Sequence, residues 1–193
     1  MEHVPTDRQQ KRVRLFVAAE IPIQIKHELS CLQKSVQESG FLAGTYPKPE
    51  AMHLTLKFIG DVSQDRVPAI QNVLRSIKYK SLEARLSTLA FFGNTRTPKI
   101  MYVDVDCPGL ADLVRMMDDL LKDFCMPEER EFKSHLTIVR ITQTIDSEGM
   151  LRMLDQMDVK KLSFSIDHFN LMQSRLNSEG PVPTTIERYD FMP

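Results

Sequence analysis

The chain has 193 residues, 42% of them hydrophobic and 26% charged, with a formal net charge of −1. That apolar content is enough to bury a core, which excludes an intrinsically disordered chain. The near-zero charge excludes a basic coat that grips long duplex nucleic acid by counterion release, though not a local basic cleft for a short anion.

Cys31, Cys107 and Cys125 are odd in number, far apart and without a C-x-x-C pair. They argue against a disulfide framework and a zinc knuckle. The start, MEHVPTDRQQKRVR, has no apolar stretch of the kind a secretory signal needs, and no segment approaches the length of a membrane span. The expectation is a soluble, cytoplasmic protein with no membrane partner.

Residues 1–12 read as a polar tail, and 13–193 as one domain or two half-size lobes sharing an interface. Residues 13–19 (VRLFVAA) form a short apolar strand. Pro22 opens a helix over 23–37, where Ile25, Leu29, Leu32 and Val36 recur on one face and Gly40 suits the end. GFLAGTYPKPEA reads as a loop. Residues 52–59 form a strand closed by Gly60 and Asp61. A helix over 63–77 has Ser63 as its N-cap. A half-buried strand follows over 81–91, then the turn GNTRTP and a strand over 100–105. Residues 108–124 form a third helix, 132–141 a strand and 147–157 a fourth helix. Leu162, Phe164, Ile166 and His168 alternate into a strand that Leu171 and Met172 extend past an irregularity, and 183–191 form the last strand. The pattern is α+β.

Two of these strands carry nearly the same words, MHLTLKF at 52–58 and SHLTIVR at 134–140. Side chains on a strand alternate faces, so His53 and Thr55 point one way and Leu54 and Leu56 the other; His135 and Thr137 oppose Leu136 and Ile138 in the same manner. Side by side, the strands would present two imidazoles and two hydroxyls to one cleft. Two histidines can hold opposite protonation states near neutral pH, one taking a proton from a nucleophile and one giving a proton to a leaving group. Two threonine hydroxyls can grip the oxygens of an anion between them. The set suits in-line displacement at phosphorus with no metal and no cofactor.

A single His-x-Thr on a strand is more often structural than functional. The pairing changes that balance, since two of only five histidines open the same triplet on two apolar strands. A metal site would need a third ligand, and neither motif has a carboxylate or cysteine two or four residues on. His3, His27 and His168 read as structural.

These motifs resemble the paired HxTx signatures of the 2H phosphoesterases. RLFVAAEIP, PKPEAMHLTLKFIGDV, FKSHLTIVRI and LMQSRLNSEGPVPTTIERY look like the branch of 2′-5′ RNA ligases and RNA 2′,3′-cyclic phosphodiesterases, over residues 13–191. The resemblance implies two pseudo-symmetric lobes of antiparallel sheet, with helices outside and a central cleft. It implies hydrolysis of an RNA 2′,3′-cyclic phosphate end to a 2′-phosphate, with weak reversible 2′-5′ joining of tRNA halves in vitro; the sequence does not give the oligomeric state, and a monomer is the default expectation. It assigns His53 as proton donor, His135 as acceptor, and Thr55 and Thr137 as phosphate grips. It also places an aromatic and an arginine three residues after the threonines, here Phe58 and Arg140. Strict pleating puts Phe58 and Arg140 on the face opposite their histidines and Lys57 on the same face as His53; a bulge or strong twist after the threonine would bring Arg140 round, and without one Arg140 only reaches the site or is structural. Lys57 has Val139 as its counterpart, so any role is one-sided. Ser134 stands where the family usually has proline, a change that should alter only how the strand starts. Two other readings remain: a nucleotide-binding module that senses without turnover, and an RNA 3′-end exonuclease, whose relatives typically have His-x-Ser.

Overall fold

The computed structural model describes residues 11–126, 131–177 and 180–192. Residues 1–10 of the expected tail lie outside them, and Arg12 is already in a strand. The elements are β1 (Arg12–Ala19), α1 (Ile23–Ser39), β2 (Leu42–Thr45), β3 (Leu54–Ser63), α2 (Val67–Arg75), β4 (Leu82–Gly93), β5 (Pro98–Asp106), α3 (Leu110–Leu121), β6 (His135–Thr144), α4 (Ser147–Gln156), β7 (Ser163–Ile166), β8 (His168–Asn177) and β9 (Gly180–Asp190). They build two antiparallel sheets, one ordered β3-β1-β8-β9 and the other β2-β6-β5-β4-β7.

The helices lace the two halves together. α1 leaves β1 of the first sheet yet packs on β2 and β6 of the second; α3 leaves β5 of the second sheet and packs with α2 against β3 of the first. The core lies between helices and sheets. Leu15, Val17 and Ala19 of β1, Leu29 of α1, Leu113 and Met117 of α3, and Leu136 and Ile138 of β6 are all buried in it. Each such leucine stabilises the fold by about 2 kcal/mol through the apolar area it takes from water.

Several boundaries differ from the sequence reading for identifiable reasons. The GFLAGTYPKPEA loop contains β2, which pairs with β6. Gly44 permits that pairing, because a Cβ there would meet the Arg140 carbonyl oxygen at 2.5 Å and Val139 Cγ2 at 2.6 Å. Ser63 ends β3 and stands at the N-cap position of a 3-10 turn over Gln64–Arg66, without a capping side-chain hydrogen bond, instead of capping α2 itself. α2 then starts at Val67, with Pro68 in its first turn where no backbone N–H is required. The irregularity expected between His168 and Leu171 falls earlier, at Asp167, and is a change of sheet: β7 edges the second sheet, β8 lies inside the first, and Asp167 alone joins them.

β3 continues through Gly60 and Asp61 instead of stopping there. Its pairing with β1 slips twice, leaving Leu56 and Ile59 without partners, and Gly60 at φ 86° supplies the left-handed residue that such insertions favour.

Candidate active site

β3 edges the first sheet, β6 lies in the second, and the two strands approach each other. His53 stands one residue before β3 and His135 begins β6. Each imidazole is fixed in the same way. His53 Nδ1 donates to the Ala51 carbonyl at 2.7 Å, and His135 Nδ1 to the Lys133 carbonyl at 2.8 Å. A carbonyl only accepts, so Nδ1 carries the hydrogen in both neutral rings and Nε2 is the basic nitrogen of each.

The slips in register decide which neighbours join the histidines. Ala18 pairs with Thr55 and Val17 with Lys57, so the bulge at Leu56 reverses the alternation after the threonine. Phe58 therefore returns to the face of His53, opposite Phe16, whose ring centroid lies 5.0 Å from His53 and 6.4 Å from Phe58. Lys57 does not share that face, contrary to the strict-pleat expectation. It is 2% exposed, and its Nζ pairs with Asp118 of α3 at 2.7 Å. β6 repeats the device: Tyr102 pairs with Thr137 and Met101 with Val139, leaving Ile138 extra and bringing Arg140 back to the face of Thr137. Thr55, Thr137, Phe58 and Arg140 thus join the two histidines, and Lys57 does not.

The electrostatics fit one shared site. Burial pushes His53 down to about 4, against the pull of the Ala51 carbonyl; Arg140, Lys26 and His135 lower it further when charged. Burial also lowers His135, while the Lys133 carbonyl and Asp104 raise it and Arg140 and Lys133 lower it. Both rings therefore stand neutral near pH 7, and Arg140 acts on both.

Burying His53 neutral has a stability consequence. Its folded pKa lies below the unfolded value, so between pH 6.5 and about 4 the unfolded chain binds more protons. This contribution is complete above the unfolded value and is lost as pH falls towards 4. His53→Gln should remove that loss, so the unfolding free energy should fall less between pH 7 and pH 5 in the variant than in the wild type, by about 2 kcal/mol, read from denaturant titrations at the two pH values.

The sequence reading missed three members of the site. Phe92 and Tyr102 enclose His135, with ring centroids 4.9 and 5.3 Å away. Asp104 lies opposite His135 in the β5–β6 register, its carboxylate 3.3 Å from Lys133 Nζ and 3.3 Å from Thr88 Oγ1. The alternation of Ile100, Tyr102 and Asp104 on one face of IMYVDV is visible, but nothing in one sequence says that this strand pairs with the second motif. Asp104→Asn should lower the pKa of His135 and leave that of His53 nearly unchanged, read from the two imidazole Cε1–H resonances across a pH titration.

Among the described residues no three His, Cys, Asp or Glu side chains gather where they could hold a metal ion, and no helix is long and apolar enough to cross a membrane. Ser134 starts the second motif with a buried hydroxyl that has no hydrogen-bond partner among the described residues, and its carbonyl accepts from the Val105 N–H at 3.1 Å.

The chain is similar to known proteins in sequence and fold. Residues 20–102 match the family model described as LigT like Phosphoesterase, which includes the first motif. A Methanocaldococcus jannaschii protein named RNA 2′,3′-cyclic phosphodiesterase is 28% identical over 179 residues, covering 92% of this chain and 100% of that one. A relative of the same name from Aeropyrum pernix is 29% identical over 163 residues, covering 82% and 92%. The fold is that of the crystal structure of TT0787 from Thermus thermophilus, with a TM-score of 0.75 at 22% identity over 92% of this chain and 97% of that one. It is also that of E. coli LigT complexed with 3′-AMP, at 0.74 and 18% identity over 95% and 100%. With the paired motifs facing one cleft, the chain is similar over residues 20–102 to the LigT like Phosphoesterase family and shares its fold with the LigT structures.

Proposed function

We propose that this chain is a metal-independent RNA 2′,3′-cyclic phosphodiesterase that opens the cyclic phosphate at an RNA end to a 2′-phosphate. The matched imidazole pair carries the reading. Both rings hold Nδ1–H on a backbone carbonyl and have Nε2 as the basic nitrogen, with Arg140 acting on both.

The cyclic phosphate sits between the motifs, its oxygens accepting from the Thr55 and Thr137 hydroxyls and facing Arg140. Its negative charge raises both histidines from their depressed values, so one ring takes up a proton as substrate binds. In the assignment the family resemblance implies, His135 Nε2 accepts a proton from water as the water oxygen bonds to phosphorus. His53 gives its proton to O3′ as the P–O3′ bond breaks. The products are a 3′-hydroxyl and a 2′-phosphate. A 5′-hydroxyl of a second RNA in place of water gives a 2′-5′ linkage, and the reverse reaction cleaves it; tRNA halves are substrates of the right chemistry for this. One chain supplies both motifs, so a monomer suffices.

The name of the similar proteins and the threonine in both motifs favour hydrolysis of the cyclic end over 3′-end exonuclease activity. The test is turnover of a 2′,3′-cyclic mononucleotide in excess EDTA, with the product identified by phosphorus NMR. A 2′-phosphate formed at an undiminished rate is expected. Binding without turnover would indicate a sensing module, a 3′-phosphate the wrong leaving group, and loss in EDTA a metal-dependent reaction.

A further inference from the structure

The cleft face of the first sheet carries a surface that begins at Phe58 of the first motif and runs on past it. Every residue of β1 has a partner on β3, so Arg12, Arg14, Phe16 and Ala18 share the face of the cleft while Val13, Leu15, Val17 and Ala19 enter the core. Ala18 pairs with Thr55, Phe16 with Phe58 and Arg14 with Asp61. Phe16, Ala18 and Met172 form an apolar cluster separate from the main core, and Phe58, a large apolar side chain, stands 58% exposed beside it. Beyond this floor, Arg14 holds the Asp61 carboxylate with Nε at 3.0 Å and Nη2 at 2.6 Å, its own side chain 62% exposed. Arg12 Nη2 donates to the Asp61 carbonyl at 2.5 Å.

The order along the face, starting at the catalytic motif, is hydroxyl, flat apolar floor, cation. Four residues of strand separate Ala18 from Arg14, roughly 13 Å, which is further than one nucleotide reaches. At the other end of the same face stand Glu20 and Asp190, the latter paired with Arg188 Nε at 2.6 Å, and Asp167 adjoins them. A polyanion leaving the catalytic phosphate is repelled at that acidic end and attracted at the Arg14 end.

We infer that this stripe binds the RNA strand 5′ of the reacting end, with a base lying on the exposed Phe58 ring, which the buried Phe16 and Met172 back from below, and an upstream phosphate taken by Arg14. The inference rests on the reading of the cleft as an RNA phosphodiesterase site. An aromatic floor accepts any base, because every base has a π-face. The Arg14 guanidinium grips Asp61 through two nitrogens, and the same fork fits two oxygens of a phosphate. Asp61 holds the side chain in place until the phosphate displaces it. A cyclic mononucleotide reaches the floor and stops short of Arg14; a trinucleotide reaches both.

The test compares kcat/KM for a 2′,3′-cyclic mononucleotide with that for a trinucleotide bearing the same end, at low salt. The wild type should favour the trinucleotide. Arg14→Ala should cut the trinucleotide-to-mononucleotide ratio about tenfold, and Asp61→Asn, which releases Arg14, should raise it. If Arg14→Ala does not fold, Arg14→Gln and Asp61→Asn read the same ratio. Equal values for both lengths in the wild type, or a ratio that the variants leave unchanged, overturn this inference while mononucleotide turnover leaves the phosphodiesterase reading standing. No turnover of either substrate overturns both.

Discussion

Replacing His53 or His135 with alanine should lower kcat on a 2′,3′-cyclic nucleotide by about 10²- to 10⁴-fold, the range that a positioned acid or base supplies. The two losses should not multiply in the double variant, because a proton accepted at one end of the displacement is of little use when none is donated at the other. Neither ring is a pillar of the core: each keeps part of its surface in the cleft and makes its recorded hydrogen bond through Nδ1 to a nearby carbonyl. Thermal midpoints near pH 7 should therefore move little while turnover collapses. A loss below tenfold in either variant, with the fold intact, would remove that histidine from the chemistry.

Lys57 should behave in the opposite way. Its ammonium is buried against Asp118, on the face of β3 turned from the histidines. Lys57→Met keeps the length and apolar stem and removes the buried charge, so it should alter stability by no more than about 1 kcal/mol and leave turnover near the wild-type value. Asp118→Asn withdraws the carboxylate and leaves the buried ammonium, and should destabilise by about 2 kcal/mol. That is less than for a fully buried pair, because Asp118 is 45% exposed to water. Denaturant midpoints measure both effects. A folded Lys57→Met variant without turnover would return Lys57 to the site.

The contrast between Lys57 and its neighbours marks where the sequence stops being legible. Period-two alternation places His53 with Thr55 and His135 with Thr137, because no slip intervenes between those positions. It fails one residue later, at Leu56 and Ile138, where each strand inserts an unpaired residue. Leu and Ile there look the same as in an unbroken strand, so a bulge leaves no local mark; only the register against β1 and β5 reveals it. The family's spacing names Phe58 and Arg140, and strict pleating puts them on the wrong face. Asp104, Phe92 and Tyr102 are out of reach for the related reason that strand pairing is long-range. β2 is hidden because Leu42–Thr45 owes its place to the close approach of Gly44 to β6, not to its own propensity. The amphipathic helices are legible, since α1, α3 and α4 write their buried stripes into consecutive turns; helix ends shift by a few residues where Gly109 and Pro68 set the entry geometry.

The central claim is that one cleft holds two imidazoles in opposite protonation states around a phosphate. The most direct measurement follows the Cε1–H resonances of His53 and His135 through a pH titration, first in the free protein and then with a nucleotide 2′-phosphate bound. Both rings should be neutral at pH 7 in the free protein, with His53 titrating near 4, and one of the two should be protonated at pH 7 once the phosphate is bound. Two rings that stay neutral with the phosphate in place, or that titrate identically with and without it, would contradict the account.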